Sequence, residues 1–196
     1  MTGSFVVAPP PGTRRLLLHA CCAPCCGGII LRLREQGLDP TVYFCNPNIQ
    51  PVEEYERRKE MLRAFCDRQG VAWVEGERDV EAWQTRCGHL ADEPERGARC
   101  AACIALRLEA AAATALRLGL TVFASSLAAS RRKSAAQVAA AGREAAARHP
   151  GLVFWAADWR KRGGMARTAQ VVVDEGFVVQ DYCGCVASLR KARPGD

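Results

Sequence analysis

The sequence predicts an α/β domain in which helices cover both faces of a mostly parallel, five-stranded sheet. Short runs rich in β-branched and aliphatic residues alternate with longer amphipathic segments along most of the 196 residues. Glycine follows several of the amphipathic segments at the position where a helix would end. The apolar fraction, 49%, is sufficient for one sizeable core.

Five strands and five main helices are predicted in alternation. The strands are Arg15 to Ala20, Thr41 to Cys45, Val71 to Val74, Leu120 to Ala124 and Leu152 to Trp155. The helices are Gly27 to Gln36, Val52 to Arg68, Cys103 to Leu118, Ser134 to Arg148 and Arg162 to Glu175. Because a helical segment separates each strand from the next, the strands are expected to be parallel and the three layers Rossmann-like.

Domain organisation is predicted to be simple. Residues 1–13, which contain three consecutive prolines, are expected to form a flexible lead-in. Residues 14–196 are expected to form a single α/β domain, since no internal repeat or second composition class is present.

Charge and composition restrict the protein's environment. Lys and Arg number 27 and Asp and Glu 21, a formal net charge of +6 that suits an acidic partner such as RNA. No apolar run of about 18 residues predicts a transmembrane helix, no secretory signal is recognisable, and no membrane partner is expected. A cytoplasmic location is therefore predicted. Thiols stay reduced there, so the eleven cysteines indicate metal binding or redox catalysis more than disulfides.

Polar or cysteine-rich loops follow four of the five predicted strands. They read HACCAPCC (19–26), CNPNIQP (45–51), SSLAASRRKS (125–134) and ADWRKRGG (157–164). In parallel sheets the functional loops lie beyond the carboxyl ends of the strands. All four loops are therefore expected to open on the same edge of the sheet.

Most of the cysteines fall into three groups. These are Cys21, Cys22, Cys25 and Cys26 after the first strand, Cys100 and Cys103 at the start of the Ala-rich helix, and Cys183 and Cys185 in QDYCGC. Unpaired N–H groups and the dipole of a helix N-terminus stabilise a thiolate, the form that binds metals. Cys45 and Cys66 are predicted to be small core residues.

The adjacent pair Cys21-Cys22 indicates an iron–sulfur cluster. Neighbouring side chains diverge, so such a pair suits two different irons of a cubane better than one small ion. Together with Cys100 and Cys103 it would complete a four-thiolate [4Fe–4S] site. Structural zinc is the nearest alternative, because Cys22-Ala-Pro-Cys25 fits tetrahedral ligand spacing. Unligated buried thiols are the third interpretation.

The second pair, Cys183-Gly184-Cys185, predicts a redox-active dithiol or a further pair of metal ligands. A disulfide across one residue would close a small, strained and easily reduced ring, and Gly184 permits the unusual backbone that it needs. The alternative is two ordinary cysteines in a terminal loop.

Five stretches, in their order, resemble the cobalamin-independent epoxyqueuosine reductases, the QueH type. They are LLLHACCAPC, YFCNPNIQPVEEYERRKE, RCAACIALRLEAAA, DWRKRGGMARTAQ and VVQDYCGCVAS, spread over about residues 16 to 188. The resemblance implies two-electron deoxygenation of epoxyqueuosine at the tRNA wobble position to queuosine, the last step of that modification. The predicted fold also resembles the nucleotide-binding HUP-type folds.

The resemblance further implies cofactors and partners. Cys21, Cys22, Cys100 and Cys103 would hold the [4Fe–4S] cluster, and Cys183 and Cys185 would be redox-active or would bind an additional iron ion. The partners would be tRNA carrying epoxyqueuosine and an external electron donor. Cys26 departs from the pattern as an extra thiol, and Ser125 and Ser126 stand where threonines are expected.

Substrate contact and proton transfer have weaker signals. Basic residues near the predicted edge suit the phosphates of tRNA, and Trp155 and Trp159 could stack on a base that is splayed out of the anticodon. The alternative is that the arginines form a solvated surface and that Trp155 is a core residue. These basic residues are Arg131, Arg132, Lys133, Arg160, Lys161, Arg162 and Arg167. Asp158, Asp181 and Tyr182 are candidate acids by position. His19 is predicted to be a hydrogen-bonded orienting residue, not a ligand.

Two other functions fit parts of the pattern. An adenylyl-sulfate-type reductase also combines a vicinal cysteine pair with CxxC around a [4Fe–4S] cluster, although its cysteine order and ending differ. A zinc-stabilised RNA-binding module without catalysis is the second. Enzymes that activate substrates with ATP need a Gly- and Ser-rich phosphate loop after the first strand, where cysteines stand here.

Overall fold

The architecture is that of a computed structural model, which describes residues 8–191, with the side chains of 190 and 191 excepted. Most of the predicted lead-in therefore lies outside the described residues. Within its described end, the hydroxyl of Thr13 donates a hydrogen bond to the carbonyl of Pro10 at 2.7 Å. The division into a lead-in and a single domain over 14–196 stays a prediction.

One parallel sheet runs through the described residues. Its strands are β1 (Arg15–Ala20), β2 (Asp39–Phe44), β3 (Trp73–Glu75), β4 (Val122–Ser125) and β5 (Val153–Phe154). They lie in the order β3-β2-β1-β4-β5, and all four pairings are parallel. The predicted five-stranded α/β fold is confirmed. The winding reverses between β1 and β4, which opens a crevice at the carboxyl ends of these strands.

Helices flank the sheet on both faces. Those of the described residues are α1 (Ala23–Glu35), α2 (Val52–Gln69), α3 (Val80–Cys87), α4 (Ala98–Arg117), α5 (Ala135–Ala147), α6 (Gly164–Asp174) and α7 (Val186–Lys191), with 3₁₀ turns at Gly88–Leu90 and Ser126–Ala129. Helix α1 packs against α2 and α6, while α4 packs against α3 and α5. Two helical layers therefore enclose the sheet.

The central strand β1 is buried from Leu16 to Ala20. Strands covered on both faces by helices carry continuous apolar runs, which explains why Leu16-Leu17-Leu18 reads without alternation. Helices α1 and α6 approach closely at Gly28, where an added Cβ would lie 2.9 Å from the Cα of Thr168. This packing fixes α6 beside the second turn of α1.

Two helix starts differ from the sequence prediction in a way that bears on function. Helix α1 begins at Ala23, four residues before the predicted Gly27, because Pro24 in the first turn has a suitable φ and needs no N–H partner. Helix α4 begins at Ala98 and so includes Cys100 in its first turn. Helices α3 and α7 were not predicted; α3 is short and begins where Asp79 accepts a hydrogen bond from the N–H of Ala82 at 2.8 Å.

No helix among residues 8–191 is both long enough and apolar enough to cross a membrane.

Candidate thiolate site at the carboxyl edge of the sheet

A cavity of about 670 Å³ opens at the carboxyl edge of the sheet. Its walls come from the loop after β1, the loop after β4, the loop after β5, helix α6 and the segment before α7. Three of the four loops that were expected to converge therefore line one space. The fourth, after β2, lies behind it and supports it, as its hydrogen bonds show below.

Three cysteines form a compact group in the wall of this cavity. The sulfur atoms of Cys21, Cys22 and Cys25 all lie within 4.8 Å of one another, the one such group of potential metal ligands among the described residues. The sulfurs of Cys21 and Cys22 are 3.8 Å apart. Hydrogen bonds from Cys22 and Cys25 hold the pKa of the Cys21 thiol well below its usual range, while both neighbours have raised pKa values. Cys21 is thus the first of the three to become a thiolate.

The compactness of this group differs from the expectation that the side chains of Cys21 and Cys22 diverge. Alternation of side chains holds within a strand, but here the chain passes from β1 directly into α1. Two thiolates on one tetrahedral ion with bonds of about 2.3 Å would lie about 3.8 Å apart. The Cys21–Cys22 geometry therefore suits one ion, and Cys25, which the predicted ligand set omits, adds a third donor.

The extra thiol of Cys26 is turned away from the group. It is fully buried and donates a hydrogen bond to the carbonyl of Cys22 at 3.1 Å. Burial raises the pKa of the Cys26 thiol. Cys26 is a core residue, as are Cys45 and Cys66, for which this was predicted.

The second cysteine group approaches from helix α4. Cys100 and Cys103 are both buried near its N-terminus, outside the compact group of three. The ammonium of Lys133 lies 3.9 Å from the sulfur of Cys100 and lines the same cavity as Cys21. Burial alone would lower the pKa of Lys133, but the sulfurs of Cys183, Cys103 and Cys100 raise it. Lys133 therefore links the two predicted halves of the ligand set.

Arg107, one turn beyond Cys103, is a second buried cation. Burial opposes its charge, but Cys103, Cys21 and Cys183 together raise its pKa. Its guanidinium donates a hydrogen bond to the side-chain carbonyl of Asn46. The amide of Asn46 in turn donates to the carbonyl of Ala20 at 2.9 Å, directly before the cysteine loop. The loop after β2 thus supports the thiol site.

Cys183 and Cys185 occupy different surroundings. Cys183 is half-buried and lines the cavity, whereas Cys185 is buried and packs with Trp83, Cys87 and Cys103. A hydrogen bond from Cys185 and the charge of Lys133 hold the pKa of Cys183 well below its usual range. The same hydrogen bond and burial raise the pKa of Cys185. The pair therefore favours a thiolate at the half-buried Cys183, with the proton on Cys185 behind it.

The backbone of this pair is held by the loop after β2 and by helix α2. Arg58 donates hydrogen bonds to the carbonyls of Tyr182 and Cys183, both at 3.2 Å. The N–H of Gln50 donates to the carbonyl of Gly184 at 2.8 Å, and the hydroxyl of Tyr182 donates to the carbonyl of Gln50 at 2.6 Å. These contacts fix the position of Cys183 in the cavity wall.

His19 is a buried orienting residue, as predicted. Its Nε2–H donates to the carbonyl of Cys45 at 3.2 Å, and its Nδ1 accepts from the hydroxyl of Ser125 at 2.9 Å. Burial and the nearby Arg107 charge lower the pKa of His19 to about 3, so the ring is neutral. Both ring nitrogens are engaged, which leaves neither for a metal.

The remaining predicted residues separate into cavity and core. Trp155 and Trp159 are both buried in the core, and Trp159 also lines the cavity and donates its indole N–H to the carbonyl of Ser125 at 2.9 Å. Hydrogen bonds from Arg160 lower the pKa of Asp158, which makes that carboxylate a poor proton donor. Asp181 is exposed.

Three cationic side chains were missed as site residues by the sequence analysis. Arg58, Arg107 and Lys133 are buried around the cysteines, although Lys133 was assigned only a phosphate contact. A signal exists for the two arginines. Arg107 lies on the buried face of α4 with Ile104, and Arg58 lies on that of α2 with Leu62, where periodicity calls for apolar residues.

The parallel sheet carries a group of thiols, flanked by buried cations, at the point where its winding reverses. This combination is typical of proteins that use thiolates to bind a metal or to carry out redox chemistry. Comparison with known proteins gives the family. The chain belongs to the family described as Epoxyqueuosine reductase QueH, whose sequence model matches residues 16–191. The resemblance noted from the motifs is confirmed, and the adenylyl-sulfate reductase alternative is set aside.

Individual relatives carry the same name. The chain is 42% identical over 164 residues to the Epoxyqueuosine reductase QueH of Histophilus somni (strain 129Pt), covering 84% of this chain and 68% of that protein. It is 41% identical over 164 residues to that of Acinetobacter baylyi, with 84% and 75% covered. It is 32% identical over 158 residues to that of Thermotoga maritima, with 79% and 82% covered.

Proposed function

We propose that this protein is an epoxyqueuosine reductase, an oxidoreductase that converts epoxyqueuosine at the wobble position of tRNA to queuosine. The epoxide becomes an alkene and its oxygen leaves as water, which consumes two electrons and two protons. The observation that carries the proposal is the shared cavity of Cys21, Cys22, Cys25 and Cys183, in a chain of this family. Because the substrate is tRNA, the protein acts in the cytoplasm.

A [4Fe–4S] cluster held by Cys21, Cys22, Cys100 and Cys103 is part of this proposal. The donor set supports it, because cysteine sulfurs are the ligands of such clusters, and the β1–α1 loop and α4 bring two cysteines each to this end of the sheet. The buried cations Lys133 and Arg107 offset the negative charge that the thiolates would carry. When bound, the cluster would supply electrons one at a time.

Cys183 and Cys185 are proposed to act as a two-electron dithiol. Oxidation of the Cys183 thiolate and the Cys185 thiol to a disulfide releases the two electrons that the epoxide needs, together with one proton. The second proton that the oxygen needs to leave as water comes from solvent. Cys183 presents its thiolate to the cavity while Cys185 holds a proton behind it. An external electron donor would then reduce the disulfide. The same residues could instead bind an additional iron ion.

The tRNA is proposed to approach the open side of the cavity. Arg131 and Arg160 lie at its walls and suit phosphate oxygens, while Met165, Ala169 and Val172 of α6 give an apolar wall for the modified base. Trp159 and Tyr182 are aromatic residues of the cavity wall, and the stacking role that was considered for Trp155 and Trp159 is proposed for this wall. Trp159 is only 2% exposed, so a base would contact the edge of its ring.

The first test is the metal content of protein purified without oxygen. Iron, acid-labile sulfide and zinc are measured per chain, and epoxyqueuosine-containing tRNA is then assayed for queuosine by nucleoside mass spectrometry. About four irons and four sulfides with turnover are expected. A fifth iron would identify Cys183 and Cys185 as candidate ligands. Iron-free protein that still produced queuosine would contradict the cluster.

Substitution of Cys183 by Ser tests the dithiol separately. We expect Cys183→Ser to retain the brown cluster but to lose turnover to the background rate, because no disulfide can form. Cys66→Ala, at a buried cysteine of α2 with no part in the cavity, is the control and should stay active. A fully active Cys183→Ser protein would exclude the redox pair.

A zinc-stabilised RNA-binding module is the second candidate, and one observation favours it. The 3.8 Å between the sulfurs of Cys21 and Cys22 suits a single tetrahedral ion. One zinc per chain, with no sulfide and no queuosine produced, would establish this alternative.

A further inference from the structure

Lys133 is a buried cation without a carboxylate partner. Its side chain is 5% exposed in the loop between the 3₁₀ turn after β4 and helix α5. No Asp or Glu of the described chain lies within ion-pair distance of its ammonium, and its close polar contacts are the sulfurs of Cys100, at 3.9 Å, and Cys183. A buried ammonium is costly unless an anion compensates it. The compensating charge must therefore come from the thiol site itself.

Arg107 repeats this arrangement from helix α4. It is 1% exposed and also has no carboxylate partner within ion-pair distance in the described part of the chain. Its Nε–H is buried without a hydrogen-bond partner. Two full positive charges thus face the same cysteines, Cys103 and Cys183 among them.

Arg58 provides a contrast within the same cavity. Its guanidinium pairs with Glu54 at 2.5 Å, and its other donors are spent on backbone carbonyls. The charge of Arg58 is therefore balanced locally, and its role is to hold the Cys183 segment. Lys133 and Arg107 have no such local balance.

We propose that Lys133 sets the reduction potential of the cluster by stabilising its reduced, more negative state. This inference rests on the proposed function, since it requires a redox cluster on Cys21, Cys22, Cys100 and Cys103. An electron added to the cluster increases the negative charge beside a fixed cation in a water-poor environment, where Coulomb attraction is strong. Lys133 is a positioning residue: it acts on the cluster through its positive charge, which lies next to Cys100.

Lys133 gives a cleaner test than Arg107. The side chain of Arg107 holds Asn46, which holds the carbonyl of Ala20 before the cysteine loop. Removing Arg107 would therefore disturb the ligands as well as the charge. The side chain of Lys133 makes no comparable hydrogen bond to the backbone of the described residues, so its replacement changes mainly the charge.

The experiment measures the midpoint potential of the reconstituted protein by dithionite titration with electron paramagnetic resonance. Iron and sulfide are first counted for the native chain, Lys133→Met, Lys133→Arg and the exposed control Lys161→Met. At the native midpoint potential we expect Lys133→Met to show about a tenfold lower ratio of reduced to oxidised cluster, a shift of about 59 mV for one electron. Lys133→Arg and Lys161→Met should match the native protein.

The outcomes separate this inference from the proposed function. A native chain without iron and sulfide removes the cluster and with it both proposals. A loaded Lys133→Met protein with the native potential, or a Lys133→Arg protein shifted as far as Lys133→Met, overturns the charge role alone. If Lys133→Met fails to load, Lys133→Gln is compared with Lys133→Arg. If Lys133→Arg is the one variant of the three that binds the cluster, the result supports the need for a cation at this position. If none of the three variants binds the cluster, the result contradicts that need.

Discussion

At the residue scale, burial and hydrogen bonding divide neighbouring cysteines into different roles. Cys25 joins Cys21 and Cys22 in a compact group, whereas Cys26, the next residue, points to a backbone carbonyl inside the core. Successive residues of a helix point about 100° apart, so adjacent thiols in the first turn of α1 face the cavity and the core respectively. Proximity in sequence is therefore a poor guide to which thiol binds metal.

Removal of Cys26 should leave metal binding intact. We expect Cys26→Ala to keep the native iron content and to lower the free energy of unfolding by roughly 1 kcal/mol, because a small buried group is lost. Iron analysis and urea unfolding of the apoprotein measure the two effects. Cys22→Ala is the comparison, and it should lose iron. Iron loss in Cys26→Ala would place Cys26 among the ligands.

At the element scale, the segment before α7 depends on one glycine. Gly184 has φ +112°, and a Cβ there would lie 3.0 Å from the Cγ1 of Ile49 and 3.2 Å from a guanidinium nitrogen of Arg58. The segment carries Cys183 into the cavity wall and Cys185 into the core. The geometry of the cysteine pair thus requires both the positive φ and the close approach of the loop after β2.

Replacement of Gly184 should therefore affect function more than a matched glycine does. Gly176 also has positive φ, +62°, but no atom lies within 4 Å of its added Cβ. We expect Gly176→Ala to cost about 1 kcal/mol of unfolding free energy and to retain activity. Gly184→Ala should lose most of its turnover, since the Cβ displaces the segment that carries Cys183. Equal activity of the two variants would count against this account.

At the scale of the whole molecule, the parallel sheet collects charged loops at one edge. Several of the predicted phosphate-binding residues are in ion pairs: Arg160 with Asp158, Arg167 with Glu35 and Arg132 with Glu95. Arg131 is exposed beside the cavity, and no acidic side chain of the described chain lies within ion-pair distance of it. Arg131 is therefore a cation of this edge that is available to tRNA.

Binding of tRNA should weaken with added salt, and Arg131 should contribute to that dependence. We expect Arg131→Gln to reduce the slope of log affinity against log salt by about 1, because one phosphate contact is lost. Filter binding at several salt concentrations measures the slope. Arg117→Gln, at the opposite end of α4, should leave it unchanged. Salt-independent binding by the native chain would argue against phosphate contact at this edge.

The sequence by itself determined the five-stranded parallel sheet, the grouping of the cysteines and the family resemblance. These depend on local periodicity and on motifs, which a chain displays without folding. The start of α1 was predicted four residues late because HACCAPCC was taken as a loop, and the close packing of Gly28 against α6 was not predicted. Local pattern does not report such a contact.

Only the tertiary structure decided which side chains meet. It brought Cys25 to Cys21 and placed Trp155 in the core. It also buried Lys133 and Arg107 beside thiols, where neither cation has a carboxylate partner among residues 8–191. The physical reason is that burial and Coulomb interaction depend on distances between segments far apart in the chain, such as Cys100 and Lys133. Those distances follow from how α4 and the loop after β4 pack at one edge of the sheet.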